Sequence, residues 1–256
     1  MWTVKTKIQP ANWHFPNRIW PFLLAVVASL AWAEDWDYGE DHGPEHWDEL
    51  SADYGLCESG HNQSPIDISN PISAELPALG WAYQATSAKI INNGHTVEID
   101  PKQATNKVVI ANLEYALKQV HFHTPSEHHV KGVEFPLEAH FVHSDSQGNL
   151  AVVAVLFDAG PANPALESLW ASLPEAPGTE LELTRAFDPS SLMPANRDYF
   201  RYSGSLTTPP CSEGVLWIVL KEHVTANAEE IAKFARVVHS HNNRPLQPIY
   251  ARDVLE

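Results

Sequence analysis

The chain has 256 residues, 44% of them hydrophobic, and a formal net charge of −16 at pH 7. This length and composition predict one globular domain of ordinary size. The acidic balance argues against nucleic acid and anionic membranes as partners, because both are themselves negatively charged. The sequence contains no internal repeat, low-complexity tract or linker.

The first 33 residues are predicted to be a cleaved secretory signal peptide. They carry three basic residues and no acidic residue, and an apolar run ends in Ala31-Trp32-Ala33, a small-x-small cleavage pattern. An uncleaved membrane anchor is the alternative, but about 15 apolar residues are fewer than the roughly 20 that span a bilayer. We expect a mature chain of residues 34–256, periplasmic or secreted and no longer tied to a membrane. Its net charge is −19, from 13 basic and 32 acidic side chains.

Two cysteines, Cys57 and Cys211, remain in this mature chain. Export places thiols in an oxidising compartment, so we predict a disulfide between them. It would close a loop of 154 residues, 211 minus 57. The chain-entropy model assigns such a loop a stabilisation of about 5 kcal/mol. Two buried free thiols are the alternative.

The sequence of the mature chain predicts mainly short β-strands. Residues 89–92, the turn Asn93-Gly94-His95 and residues 96–99 predict a strand, a turn and a strand. Further strand-like runs cover residues 63–68, 107–110, 113–123, 137–142, 150–157 and 215–220. Long runs without polar alternation predict strands that are buried on both faces.

Two helices are predicted near the end of the chain. Asn163 and Pro164 fit an N-cap followed by proline, with an apolar stripe that continues to Pro174. A second helix begins near Asn227, with Glu230 three residues later as in a capping box. The expected fold is mixed α/β and strand-dominated, with a few short peripheral helices. They surround a large central, mostly antiparallel, twisted β-sheet within a single domain.

Two of the predicted strands carry a candidate metal site. His121 and His123 are two residues apart and therefore lie on one face of a strand. His140 lies on the next strand-like run, which can fold back beside the first. Three neutral imidazoles and one open position are the ligand set of catalytic zinc. Such a zinc ion lowers the pKa of its bound water to about 7, from about 15.7 in bulk.

For any single histidine, a role without a metal is a strong alternative, because the chain contains 14 histidines. Surface exposure or a hydrogen-bonded core position would explain an isolated His-x-His. Gln119 and Glu138 favour the metal site, since each precedes a candidate ligand by two residues and shares its strand face. Side chains so placed are suited to fix imidazole tautomers by hydrogen bonding.

These motifs, together with residues 202–211 and Trp217-Ile218-Val219-Leu220-Lys221, resemble the α-class carbonic anhydrases, particularly the compact exported bacterial type. The resemblance covers about residues 36–255. It implies that residues 34–256 form a catalytic domain with one Zn²⁺ per chain. The implied reaction is reversible hydration of carbon dioxide to bicarbonate and a proton by a zinc-bound hydroxide. It also implies inhibition by sulfonamides and anions, and a homodimer is a possibility among bacterial relatives.

The resemblance also implies roles for individual residues. The zinc ligands would be His121, His123 and His140, supported by Gln119, Glu138 and the backbone carbonyl of Asn242. Thr207 would orient the hydroxide and pass its own proton to Glu127, while His95 would shuttle the product proton to buffer. The apolar pocket wall would consist of Val142, Val152, Leu206, Val215 and Trp217. The polar pocket residues would be Thr208 and Tyr38.

Each of these roles has a simpler alternative. Glu127 could be a capping or surface carboxylate, His95 an exposed turn residue, and the apolar wall ordinary core. A catalytically silent relative is the second hypothesis, but such relatives typically lose a zinc histidine and this chain keeps all three. A zinc hydrolase of esters or peptides is the third, and the His-Glu-x-x-His motif that would support it is absent from the sequence.

Overall fold

The computed structural model describes residues 36–239 and 241–256, so the predicted signal peptide lies outside the described residues. The strands are β1 Asp67–Ile68, β2 Gly80–Ala82, β3 Ala88–Asn92, β4 Val97–Pro101, β5 Lys107–Ile110, β6 Leu113–His123, β7 His129–Val130, β8 Leu137–Ser144, β9 Leu150–Ala159, β10 Glu180–Glu182, β11 Tyr199–Ser205, β12 Glu213–Leu220 and β13 Val224–Ala226. The α-helices are α1 Trp47–Leu50, α2 Leu56–Ser59, α3 Pro164–Trp170 and α4 Ala228–Val237. No helix in the described ranges has the length and apolar character needed to cross a bilayer.

One 11-stranded sheet dominates the described part of the chain. Its main path runs β10-β3-β4-β6-β8-β9-β12-β11, with β5 joining β6 to β2 and β13 lying beside β9. Within this sheet β9 pairs in parallel with β12 and β13, whereas the other pairs are antiparallel. A separate parallel pair joins β1 to β7. The predicted large, mostly antiparallel sheet is confirmed.

The burial of a strand explains whether the sequence pattern predicted it. Residues 151–157 of β9 are all buried, as the unbroken apolar run predicted. The unpredicted strand β10 is exposed along its whole length and has two glutamates in three residues. It is held by pairing with β3 and by ion pairs from Glu180 to Lys89 and from Glu182 to Lys102. These tertiary partners, rather than local pattern, make it a strand.

Both predicted helix starts are confirmed, and one carboxylate joins them. The Asn163 side chain accepts a hydrogen bond from Ala165 N, and Asn227 and Glu230 form a complete capping box. The carboxylate of Glu230 also accepts from the backbone of Asn163 at 3.0 Å. Helix α3 ends at Trp170, before the predicted Pro174, because the last turn is a looser set of turn hydrogen bonds.

The predicted disulfide joins Cys57 to Cys211, with an S–S distance of 2.07 Å. It lies in a small apolar cluster with the fully buried Trp47, apart from the two larger core clusters. Buried Arg244 donates to the carbonyl of Cys57 at 2.7 Å and its backbone reaches Glu127. The cross-link therefore belongs to the packing around the candidate site.

A bulge in β6 decides which side chains face that site. Leu117 pairs with His143 but Gln119 pairs with Val142, so Lys118 is an extra residue in the strand. Before the bulge, odd-numbered residues such as Tyr115 and Leu117 are buried in the core. After it, the core side chains are Val120 and Phe122. The odd-numbered histidines are thus turned towards the opposite face of the sheet.

Candidate metal centre and its cavity

Three imidazoles meet on one face of the β6–β8 pair. His121 and His123 come from β6, and His140 of β8 is the register partner of His121. One ring nitrogen of each lies within 4.8 Å of the others, and the ring centroids are 4.5–5.1 Å apart. His123 and His140 are each 1% exposed. The candidate ligands that the sequence placed on two neighbouring strands therefore lie together.

Each ring has one nitrogen committed to an oxygen. His121 Nδ1 lies 2.7 Å from an amide oxygen, His140 Nε2 lies 2.7 Å from a carboxylate, and His123 Nδ1 lies 2.7 Å from a backbone carbonyl. Because these oxygens only accept, the three committed nitrogens carry the protons. The residues that supply these oxygens are, in the same order, Gln119, Glu138 and Asn242.

The remaining nitrogens are then His121 Nε2, His123 Nε2 and His140 Nδ1, each with a lone pair. His123 Nε2 is buried and has no hydrogen-bonding partner among the described residues. A buried acceptor without a partner is costly unless something else binds it. Three converging neutral nitrogens fit a tetrahedral cation with one position left open, which is the donor set of catalytic zinc.

The electrostatics favour the neutral form of two of these rings and the charged form of Glu138. Burial, with neighbouring His123 and His140, lowers the pKa of His121 well below its usual value. Burial also lowers the pKa of His123, against the opposing effect of Glu127. Burial alone would raise the pKa of Glu138, but His128 and His140 hold it well below its usual value. The centre therefore offers neutral imidazoles of His121 and His123 and a carboxylate behind His140.

A second group, His128, Glu138 and His140, also meets the distance requirement for a metal. Its atoms are already hydrogen-bonded to one another: His128 Nδ1 and His140 Nε2 both lie 2.7 Å from Glu138 Oε1. The other nitrogen of His128 lies 2.7 Å from the hydroxyl of Tyr202. This group therefore holds His140 in place and leaves the metal position to the three imidazoles. Sequence reasoning missed His128, because its partners are 10 and 74 residues away.

Glu127 and Thr207 are both buried, at 1% and 5% exposure, and Glu127 lies beside the imidazoles of His123 and His140. Glu127 Oε1 accepts from Arg244 N at 3.0 Å. Its Oε2 lies 3.9 Å from His140 Nδ1 and has no hydrogen-bonding partner among the described residues. The hydrogen bond expected from Thr207 to Glu127 stays a prediction, and Oε2 is the acceptor it would use.

A small cavity of about 170 Å³ opens over two of the imidazoles. His95, on the turn between β3 and β4, lines it, and its ring stacks on Trp36 with centroids 3.7 Å apart. Tyr38 and Thr208 line the same cavity, as expected for the polar pocket residues. Burial raises the pKa of Tyr38 well above its usual value, so its hydroxyl is neutral.

Glu98 also lines this cavity and was not foreseen from the sequence. It is the cross-strand partner of His121, which only the β4–β6 register reveals. Burial, followed by a hydrogen bond with Asp100, raises the pKa of Glu98 to about 8. The cavity wall thus contains a carboxyl group that keeps its proton to a higher pH than an ordinary glutamate.

The five residues of the predicted apolar wall belong to one core cluster. Val152, Val215 and Trp217 are each 2% exposed, and the partly buried members are Val142 and Leu206. The Trp217 ring lies 4.9 Å from the His140 ring and its Nε1 donates to the carbonyl of Ser205 at 2.9 Å. The apolar cluster therefore reaches the His140 imidazole through Trp217.

Comparison with known proteins agrees with this geometry. The model of the eukaryotic-type carbonic anhydrase family matches residues 42–256. A carbonic anhydrase of Neisseria gonorrhoeae is 44% identical over 238 residues, covering 91% of this chain and 94% of that relative. The solved α-carbonic anhydrase of Thermovibrio ammonificans, in complex with the inhibitor sulfanilamide, is 48% identical with a TM-score of 0.85, covering 87% of this chain and 99% of that chain. The solved α-carbonic anhydrase of Photobacterium profundum is 45% identical with a TM-score of 0.82, covering 87% of this chain and 100% of that chain. The chain belongs to the α-class carbonic anhydrase family.

Proposed function

We propose that this protein is a zinc enzyme that reversibly hydrates carbon dioxide to bicarbonate and a proton. The observation that carries the proposal is the tripod of imidazoles, two of them 1% exposed, each with one nitrogen hydrogen-bonded to an oxygen and one directed at a common point. His121, His123 and His140 would hold one Zn²⁺ per chain. The ion would supply the acidity that makes water a nucleophile near pH 7.

The residues that hydrogen-bond to the three histidines would orient the imidazole rings. Gln119, Glu138 and the Asn242 carbonyl fix each imidazole in the tautomer whose other nitrogen has a lone pair. Loss of such a partner typically costs about 10- to 100-fold in metal affinity or activity. The contacts of His128 to Glu138 and to Tyr202 extend the same support one layer outwards.

Thr207 and Glu127 would orient the attacking oxygen. Glu127 is buried, its Oε1 already accepts from the Arg244 backbone, and Oε2 can accept from the Thr207 hydroxyl. With its own proton so committed, the Thr207 oxygen can only accept the hydrogen of the nucleophile. A nucleophile held in this way presents its lone pair to the substrate.

The apolar wall would receive carbon dioxide, an uncharged and weakly hydrogen-bonding molecule. Val142, Val152, Leu206, Val215 and Trp217 offer no charged group that would hold bicarbonate, so water can displace the product. His95 would then accept the released proton through water, because imidazole is the side chain suited to accept and release a proton close to neutral pH. Its position on the cavity lining lets it pass that proton to buffer.

The surroundings of the enzyme are part of the proposal. Residues 1–33 have the charge and apolar pattern of a signal peptide, and the Cys57–Cys211 disulfide suits an oxidising compartment. We therefore place the mature domain, residues 34–256, in the periplasm or outside the cell. Because the relative from Thermovibrio ammonificans was solved with sulfanilamide, we also propose that sulfonamides and small anions inhibit this protein at the same centre.

Stopped-flow hydration of carbon dioxide by the mature chain, with zinc measured on the same sample, tests the proposal. We expect fast hydration with about one zinc per chain, and loss of both in His123→Ala. Gln247→Ala is a matched control, since the side chain of Gln247 makes its only hydrogen bond among the described residues to the carbonyl of Pro245. Zinc binding without hydration would favour the catalytically silent alternative, and no zinc binding would refute the proposed centre.

A further inference from the structure

Asn242 lies where the metal centre meets the turn that carries His95. Its backbone carbonyl accepts from the Nδ1 of His123, and the residue is 1% exposed. Its side chain makes three further hydrogen bonds. The amide nitrogen donates to His95 O at 3.1 Å and to Phe122 O at 2.9 Å, and the amide oxygen accepts from Thr124 N at 2.9 Å. The carbonyl alone would serve the metal ligand, so the side chain has a separate set of partners.

Two of those partners flank a metal ligand, and the third is the backbone of His95. Phe122 and Thr124 lie on either side of His123 in the sequence. The turn is also linked to β6 through Thr96 Oγ1, which donates to Phe122 O at 2.6 Å. Asn242 therefore spans the gap between His95 and the ligand strand with one rigid, planar amide.

We propose that the Asn242 side chain is a positioning residue for proton transfer, which sets the separation of His95 from the metal centre. The proposal rests on the proposed function of this site. Proton transfer requires a donor and an acceptor at hydrogen-bonding reach, directly or through water. A misplacement of about 1 Å can cost about 10²-fold in rate, so a buried link between the two groups has kinetic consequences.

Asn242→Asp is the most informative variant. It keeps the size of the side chain and an acceptor for Thr124 N, but removes both hydrogens donated to His95 O and Phe122 O. Asn242→Ala removes all three contacts and leaves the carbonyl that serves His123. Asn243→Ala is the matched control, because its neighbouring amide donates to Ser126 O and not to the turn.

The test measures the rate of carbon dioxide hydration by stopped flow, at low and at high concentrations of imidazole buffer. Zinc content is measured on the same samples. In both Asn242 variants we expect kcat to fall about tenfold in weak buffer, which is less than the loss of about 10²- to 10⁴-fold expected when a proton-transfer group is removed entirely. We expect kcat/KM and zinc content to stay within about twofold, because those report the hydration step and the metal site. Imidazole should restore kcat by accepting the proton directly. Asn243→Ala should match the wild type.

Combination with His95→Ala gives the decisive comparison. If Asn242 acts through His95, adding Asn242→Asp to His95→Ala lowers kcat no further. A further loss in that background, or equal falls in kcat, kcat/KM and zinc content, would overturn the inference. So would wild-type kinetics in Asn242→Asp, which decides the matter even if Asn242→Ala does not fold. A wild-type protein that binds zinc but does not hydrate carbon dioxide would instead refute the proposed function, and this inference with it.

Discussion

Strand β8 carries two buried histidines only three residues apart, and they are used in different ways. His140 has one nitrogen on Glu138 and directs the other towards two further imidazoles. His143 faces the opposite side of the strand, with Nε2 2.6 Å from the hydroxyl of Tyr83 and Nδ1 3.3 Å from the carbonyl of Ala151. Both residues are at most 1% exposed.

The difference shows that burial alone does not mark a functional histidine. His143 has both nitrogens occupied by protein groups, and burial lowers its pKa to about 4, so it is a neutral core residue. His140 has one nitrogen more than its protein partners use. What distinguishes the metal centre is therefore a surplus of acceptors directed at one point, and not the density of histidines.

The largest expected effect comes from replacing each histidine of this pair by phenylalanine. His140→Phe removes one of three ligands and the partner of Glu138, so zinc content should fall from about one per chain towards zero. Hydration of carbon dioxide should fall to the buffer background. His143→Phe should retain both. Metal analysis and stopped-flow kinetics on the folded variants make the test, and zinc lost from a folded His143→Phe would contradict the comparison.

The next effect concerns the dependence of stability on pH. The folded-state pKa of His143, about 4, lies below the ordinary value of about 6.5, so the unfolded chain takes up the proton first as the pH falls. This contribution is fully present above pH 6.5 and is lost as the pH falls through 4. Wild type should therefore lose about 3 kcal/mol more unfolding free energy than His143→Phe between pH 7 and pH 4.

Urea unfolding at a series of pH values measures that difference. The comparison uses the change with pH and not the absolute stability, because His143→Phe also changes core packing and leaves Tyr83 without its partner. Parallel pH profiles for the two proteins would show that His143 is protonated equally in the folded and unfolded states.

The smallest effect is expected from Tyr83→Phe. It leaves His143 Nε2 without its hydrogen-bonding partner at little change in volume, which costs about 1 kcal/mol of unfolding free energy. Hydration activity should be unchanged, because neither Tyr83 nor His143 is among the residues that line the cavity. The same substitution in the His143→Phe background should cost less. An equal cost in both backgrounds would show that the Tyr83 hydroxyl acts through another group.

Local pattern, or the presence of only one possible partner, was sufficient to predict several features. The buried run of β9, the capping box of α4 and the disulfide were all predicted and are confirmed. The pairing of Gln119 with His121 and of Glu138 with His140 follows from the two-residue period of a strand. In each case the partners are close in sequence or are the only residues of their type.

Features that depend on register or on distant partners were not predictable. Glu98 enters the cavity because β4 pairs with β6 at one particular register, and no local signal distinguishes it from an exposed strand glutamate. His128 is buried because Tyr202 and Glu138 satisfy both of its nitrogens. The side chain of Asn242 reaches His95 across 147 residues of sequence. The roles assigned to Thr207, Glu127 and His95 stay predictions.

The extra residue Lys118 in β6 makes the strand sensitive to deletion of a residue but not to substitution at this position. Before the bulge the odd-numbered side chains of β6 face the core, and after it the even-numbered ones do. Leu117 and His121 therefore face opposite sides of the sheet although both have odd numbers. Deletion of one codon at this point would force half of the strand to turn over, so that either Leu117 would enter the cavity or His121 would enter the core. Replacement of the exposed Lys118 by another amino acid would not. In this strand the number of residues between Leu117 and His121 matters more for the site than the identity of the residue at position 118.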